Sequence, residues 1–398
     1  MSLTGYLRNR QSSVREFMET HFPRAADHMH AIRQQILALP ELRPLTAGSR
    51  YPFSAIGTAT DYRIRYYFRA TPVEELVAYA GATLITAVDP RWPLGMSRAE
   101  LAAAGWPFAA FFEQLTRDID RLSPVGRRLN AEDEAKLARY CYGLAVLDGV
   151  FRSGRGQESL ATLDLLAGVE SAWVEDLCTL SWAFYDSRCI SFTVPVVLNP
   201  HFAGSGEIGG ADGDIIADGC LIDFKATQGR GLARALSDTA LYQLLGYVLL
   251  DYENEYGIRA VGFYLVRQQR LLSWALDELL QSLSNSPAPP RLDELRTAFK
   301  RLDKAAVAAQ PRDTAVEYPP RTCVNCDRCF AEPGGSLLYC SPICRADSVL
   351  RPLSPSRTSR RTGPTRRCAV VPRGDATAIP RPQGNISAHR RVGAGTPL

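Results

Sequence analysis

The stretch "GGADGDIIADGCLIDFKAT", residues 209–227, holds four aspartates and one of only four lysines in the 398-residue chain. Asp218-Gly219 sits between two β-rich apolar runs, and such a dipeptide supplies the positive φ angles that a two-residue hairpin turn needs. That turn fixes the register by counting outward. Ala217 faces Cys220, Ile216 faces Leu221 and Ile215 faces Ile222. Asp214 then faces Asp223, and Asp212 faces Lys225. Side chains alternate along a strand, so Asp212, Asp214, Asp223 and Lys225 fall on one face. Ile215, Ile222 and Phe224 fall on the other, core-facing side.

Directly opposed carboxylates repel and weaken a strand pair. A divalent cation between them removes that cost, and hard oxygen ligands suit Mg²⁺ or Mn²⁺. Such a cation keeps positions open for water and for a phosphate oxygen. Lys225, two residues from Asp223, is placed to stabilise developing charge or the attacking water. The plainer alternative is a surface hairpin whose charges face water. Strongly apolar neighbours, in-register acids and the scarcity of lysine favour a metal-dependent phosphodiesterase centre.

The surrounding chain alternates helix and strand. Residues 160–184 place Leu166, Val169, Trp173, Leu177, Leu180 and Phe184 on one helical stripe, with Glu170 and Asp176 flanking it and Glu175 opposite. Extended segments are expected at 189–199 and 260–274, with a helix over 234–252 between the hairpin and the second of these. Residues 1–48 and 72–180 read as mostly helical. Residues 51–70 contain an alternation, Tyr62, Ile64 and Tyr66 against Arg63 and Arg65, that on its own is compatible with a strand. His28 and His30 stand two apart and so do not share a helix face. The fold class expected is α/β (α+β), a mixed sheet flanked by helices.

An acid on one strand followed by D/E-x-K on the next resembles the core of the PD-(D/E)xK nuclease superfamily. Asp214 matches the first acid and Asp223-Phe224-Lys225 the triplet, with Asp in place of the commoner Glu. Asp212 is a second candidate for the first acid. The segment "QLLGY" supplies Gln243 and Tyr247 one helical turn apart, similar to the RecB-like branch of that superfamily. The resemblance implies metal-dependent DNA hydrolysis, with Asp214 and Asp223 holding Mg²⁺ or Mn²⁺ and Gln243 orienting substrate or the lysine. It leaves Glu170 and Asp176 as alternative helix ligands.

"CVNCDRCFAEPGGSLLYCSPIC" pairs Cys323 with Cys326 and Cys340 with Cys344 across a glycine-containing loop. Two short-spaced pairs can close a tetrahedral zinc site with no open position, hence a structural one. Cys329 is surplus and could replace Cys326 in a slipped register. The spacing resembles small treble-clef-like zinc ribbons. Cys141, Cys178, Cys189, Cys220 and Cys368 are scattered rather than arranged as an extracellular disulfide framework.

The net charge of +4 hides an asymmetry: the tail from Arg345 carries +9 and the remainder −5. A basic, Pro/Ser/Arg-rich tail fits either contact with polyanions or plain solvation. No apolar run reaches the roughly 18 residues needed to cross a bilayer, and no signal-peptide pattern stands at the N-terminus. The resemblance implies DNA as the partner; no membrane contact is expected, and the expected address is cytoplasmic. The expected organisation is a helical region 1–155, a nuclease core 156–283, a linker and helix 284–318, a zinc ribbon 319–347 and a disordered basic tail 348–398. The rival reading is a catalytically inactive nucleic-acid-binding or regulatory protein that keeps the zinc ribbon.

Overall fold

The computed structural model describes residues 2–44, 51–86, 98–103, 105–153, 165–166, 169–287, 291–302, 321–322 and 329–330. Within them the fold is α+β, built on a five-stranded mixed sheet whose strands lie in chain order. The strands are β1 (Val196–Leu198), β2 (Ile215–Ala217), β3 (Cys220–Lys225), β4 (Ala260–Leu265) and β5 (Arg270–Ala275). β3 and β4 run parallel; the other neighbouring pairs are antiparallel.

The hairpin forms in the expected register, with Ala217 opposite Cys220, Ile216 opposite Leu221 and Ile215 opposite Ile222. Asp218 and Gly219 both take positive φ, 46° and 71°, the conformation this tight turn demands. A Cβ at Gly219 would stand 2.8 Å from Nε of Arg259, whose guanidinium caps the turn by donating to the Asp218 carbonyl at 2.8 Å.

Parallel strands need a crossover, and here α10 (Gly229–Ala235) and α11 (Asp238–Leu250) supply it. From Ala240 to Leu250 every residue of α11 except Gln243 is buried, as expected of a helix that is apolar all round. Ser237 caps it by accepting from the Ala240 N–H. The single helix expected over 234–252 is thus two, parted at Leu236 and Ser237.

Both faces of the sheet are buried, not the one face that alternation in the hairpin suggested. Ile215, Ala217, Ile222 and Tyr264 pack against one set of helices. These are α4 (Phe53–Phe68), α5 (Val77–Thr86), α7 (Ala109–Leu122), α8 (Ala131–Ser153) and α9 (Ser171–Ser187). On the other face Ile216, Leu221, Val261, Phe263 and Leu265 pack against α11 and against α1 (Leu3–Arg8), α2 (Ser13–His21) and α3 (Ala25–Ile36). A short helix α6 (Arg98–Ala103) precedes α7, while α12 (Leu276–Leu283) and α13 (Leu292–Lys300) follow the sheet. Among the described residues, helices from residues 1–153 share both cores with the strands.

Three local expectations change. The alternating stretch in 51–70 is helix α4, because Arg63 is itself buried, in a two-bond ion pair with Glu134, alongside Tyr62, Ile64 and Tyr66. The alternation reflects a helix enclosed on several sides, not a strand. The extended segment 260–274 is a hairpin, β4 and β5, turning where Gln269 takes φ 52°. Helix α9 begins at Ser171 among the described residues; its buried side includes Leu177, Leu180 and Phe184, while Glu175 is exposed as expected.

In the cysteine-rich segment, β6 (Arg321–Thr322) and β7 (Cys329–Phe330) form a small antiparallel pair. Cys323, Cys326, Cys340 and Cys344 lie outside the described residues, as does the tail 348–398. Of the region 284–318, expected as a linker and helix, α13 (Leu292–Lys300) is helical. Among the described residues no helix is long and apolar enough to cross a membrane.

Candidate functional site

The site stands where β2 parts from β3. The ladder between them runs as far as Ile215 and Ile222; the chain then bends at Asp214. β2 stays with β1 instead: the Asn199 N–H donates to the Asp214 carbonyl at 3.0 Å and the Gly213 N–H to the Pro200 carbonyl at 3.1 Å. Two features permit this. Asn199 adopts a left-handed φ of 51°. Gly213 packs so closely that a Cβ there would be 3.0 Å from both Leu221 and Pro200.

As a result Asp212 does not face Lys225. It bridges to His201, with Oδ1 2.7 Å from Nδ1 of the imidazole. Asp214, released from the ladder, turns its Oδ2 onto the backbone N–H of Phe224 at 2.7 Å. Its carboxylate takes the place in the sheet that a strand carbonyl would have held.

Asp223 points from β3 toward α11 and is 8% exposed. Burial pushes its carboxyl up to about 6; Lys225 opposes that rise and the charge of Asp214 adds to it. Lys225 forms an ion pair with Asp223 Oδ2, yet that oxygen accepts no hydrogen bond of good geometry. The lysine head also lies 5.5 Å from the centre of the Phe263 ring. From α11, Gln243 Nε2 donates to the Tyr247 hydroxyl at 2.6 Å. Burial raises the Tyr247 phenol, and Asp223, Asp214 and Asp212 raise it further. The expected constellation of Asp214, Asp223, Lys225, Gln243 and Tyr247 is thus gathered at one end of the sheet.

Helix α4 adds a residue pair that the sequence reading passed over. Asp61 is held by Arg65, whose Nε donates at 2.8 Å. Burial pushes the Asp61 carboxyl up to about 7, against the pull of Arg65, with Asp214 and Asp148 contributing to the rise. Arg65 also reaches Asn199 Oδ1 at 3.3 Å, tying α4 to the end of β1. Asp61 and Arg65 are four residues apart, a helical spacing. The Tyr-Arg-Ile-Arg-Tyr alternation of residues 62–66, which contains Arg65, hid it.

The two helix acids proposed from sequence are placed otherwise. Asp176 is buried and bound to Arg267 through both oxygens, at 3.0 and 2.8 Å, and to the Tyr51 hydroxyl. Glu170 is exposed, at the start of α9. The acid electrostatically coupled to Asp214 from a helix is Asp61.

Together, Asp61, Asp148, Asp212, Asp214 and Asp223 face three cations, Arg65, Arg152 and Lys225. Two of the five carboxyls, Asp61 and Asp223, resist ionising, which brings the acids and cations close to balance. Asp214 and Asp223 supply two carboxylates, which suffices for Mg²⁺, an ion that is commonly held by one or two carboxylates plus waters and phosphate oxygens. No cluster of three or more His, Cys, Asp or Glu side chains poised around a common point is found among the described residues.

Comparison with protein-family models, with curated proteins and with solved structures finds no match for this chain.

Proposed function

We propose that the chain is a metal-dependent nuclease that hydrolyses DNA phosphodiester bonds through a PD-(D/E)xK-type site. One observation carries the reading: where β2 leaves β3, Asp214 accepts the N–H of Phe224, next to Asp223, with Lys225 paired to Asp223 and the charge of Asp214 raising the Asp223 carboxyl. Mg²⁺ or Mn²⁺ held by Asp214 and Asp223 would supply Lewis-acid stabilisation of the phosphoryl oxygens and a water of lowered pKa.

The chain's own residues do the rest. Lys225, paired to Asp223, would stabilise charge that develops on the phosphate. The amide of Gln243, anchored on Tyr247, fixes the orientation of the lysine or of the substrate. Asp61, held by Arg65 and raised by burial, provides a further carboxyl at the edge of the site. We further propose that Cys323, Cys326, Cys340 and Cys344 hold a structural zinc in a ribbon that helps retain DNA, and that the protein acts in the cytoplasm.

The test is cleavage of linear, nicked and single-stranded DNA by the full chain in Mg²⁺ or Mn²⁺. Cleavage should need the metal and should vanish in Asp223→Ala. Absence of cutting on all three substrates, or a variant as active as the parent, overturns the proposal. A second reading has its own support. Asp223 and Asp61 are each already neutralised by a protein cation. That arrangement suits a nucleic-acid-binding protein that keeps the fold without turnover, and it would bind DNA with an affinity indifferent to Mg²⁺.

A further inference from the structure

His201 and Asp212 form a pair that the proposed mechanism leaves unused. His201 Nδ1 lies 2.7 Å from Asp212 Oδ1, and the two residues close the last bridge between the β1 and β2 segments. Their backbones stay paired up to that point, through Asn199 opposite Asp214 and Pro200 opposite Gly213. His201 therefore stands two residues along the strand from the partner of Asp214, a step of about 7 Å.

The side on which the pair lies follows from its neighbours. Phe202 is fully buried in the second core, and a Cβ at Gly213 would meet Leu221 and Phe202 of that same core. Side chains alternate, so His201 and Asp212 turn the other way, toward α4 and α8. The electrostatics agree. Burial works against the charge on Arg152, at the end of α8, yet Asp148, with Asp212 adding, raises it. Asp61, raised first by burial, also feels Asp214 and Asp148. The pair thus borders the carboxyls of the site.

The ring is held in place while one of its nitrogens stays free. The Tyr256 hydroxyl donates to the His201 carbonyl at 2.9 Å, and Asp212 holds Nδ1. A carboxylate only accepts, which assigns the ring hydrogen to Nδ1 and the lone pair of the neutral imidazole to Nε2. Nε2 has no hydrogen-bond partner among the described residues and is open to solvent, the side chain being 25% exposed. An imidazole oriented by an acid through one nitrogen, with the other facing water, is built to accept a proton.

We propose that His201, oriented by Asp212, is the general base that takes the proton of the attacking water. The proposal rests on the nuclease reading for its substrate. As the water oxygen bonds to phosphorus, its proton passes to His201 Nε2. The bond from phosphorus to the leaving sugar oxygen breaks with its electron pair, and that oxygen takes a proton from solvent. Asp212 stabilises the imidazolium so formed, which then returns its proton to solvent.

The test is chemical rescue. Single-turnover cleavage of DNA by the full chain in Mg²⁺ is compared with that by His201→Ala, and free imidazole is then added. The rate should fall by about 100-fold, the lower end of what a general base contributes. Imidazole should restore part of it in proportion to its concentration, while DNA binding and Mg²⁺ affinity stay those of the parent. Asp212→Asn can donate to Nδ1 and so shift the ring hydrogen onto Nε2; it should lose rate comparably. Imidazole should not help it, because the His201 ring still fills the place. If His201→Ala fails to fold, His201→Gln keeps a donor for Asp212 and should show the same loss of rate with binding kept. A His201 variant as fast as the parent, a folded His201→Ala that imidazole does not restore, or a loss of Mg²⁺ affinity in place of rate overturns the base. Cleavage abolished by Asp223→Ala but untouched by His201→Ala overturns the base alone and leaves the nuclease reading standing. A parent that cuts no DNA overturns both.

Discussion

Asp214 Oδ2 accepts the backbone N–H of Phe224 at 2.7 Å, which fixes one carboxylate of the site onto the strand that carries the other, Asp223. The bond is possible only because β2 leaves the ladder one residue earlier, at Ile215. The same departure opens the space between the strands.

That geometry sets Asp223 against stability. Its carboxyl is buried and raised to about 6. Asp223→Asn removes the buried charge and should raise the melting temperature in EDTA, by the equivalent of about 1–3 kcal/mol. The same variant should lose the melting-temperature gain that Mg²⁺ gives the parent. Differential scanning fluorimetry with and without Mg²⁺ checks both.

The pH dependence follows in sign. Asp223 and Asp61 have folded pKa values near 6 and 7, above the ordinary carboxylate value of 3.8. Well below pH 4 both are protonated, folded or unfolded, and cost nothing. As pH rises through the window from about 4 to 7, the unfolded chain releases these protons first, so metal-free stability should fall. Urea denaturation in EDTA at half-unit pH steps should show that decline, and 10 mM Mg²⁺, a concentration on the order of typical assays, should reduce it.

Asp61 and Asp176 are separable by one pair of variants. Asp61→Asn should weaken Mg²⁺ binding by about tenfold or more. Asp176→Asn leaves the buried Arg267 guanidinium short of its partner and should cost about 3–5 kcal/mol of stability. Calorimetric Mg²⁺ titration and urea midpoints would distinguish them. The reverse assignment requires the reverse pattern.

Gln243→Leu removes the amide that donates to Tyr247 at 2.6 Å while filling similar volume. The fold should persist, because Gln243 is the only residue from Ala240 to Leu250 that is not buried. Cleavage should drop by about one to two orders of magnitude, as for loss of a positioning group. Single-turnover rates on the best DNA substrate measure it.

Elemental analysis of the purified chain should find a single bound zinc per molecule, closed by four thiolates. Replacing Cys323 and Cys340 by Ser should release it. A metal content near zero in the parent removes the ribbon proposal without touching the site on the sheet.

What could be read from the sequence was local. Asp218-Gly219 dictated a turn with positive φ at both corners, and the turn dictated the pairing of three residues on either side. The four-residue step from Gln243 to Tyr247 likewise needed only helical geometry. Simple alternation failed one residue beyond the ladder, since whether β2 stays with β3 or follows β1 depends on Pro200, Leu221 and the left-handed turn at Asn199. Asp61 was out of reach for a related reason. Its place beside Asp214 depends on α4 docking against the sheet from more than a hundred residues away, and its spacing to Arg65 looks like that of an ordinary surface ion pair. Short-range sterics thus determined the hairpin and the helical turn. Packing between distant segments decided which carboxylates share the site, because proximity across the chain is set by the shapes of two buried faces and not by spacing along the backbone.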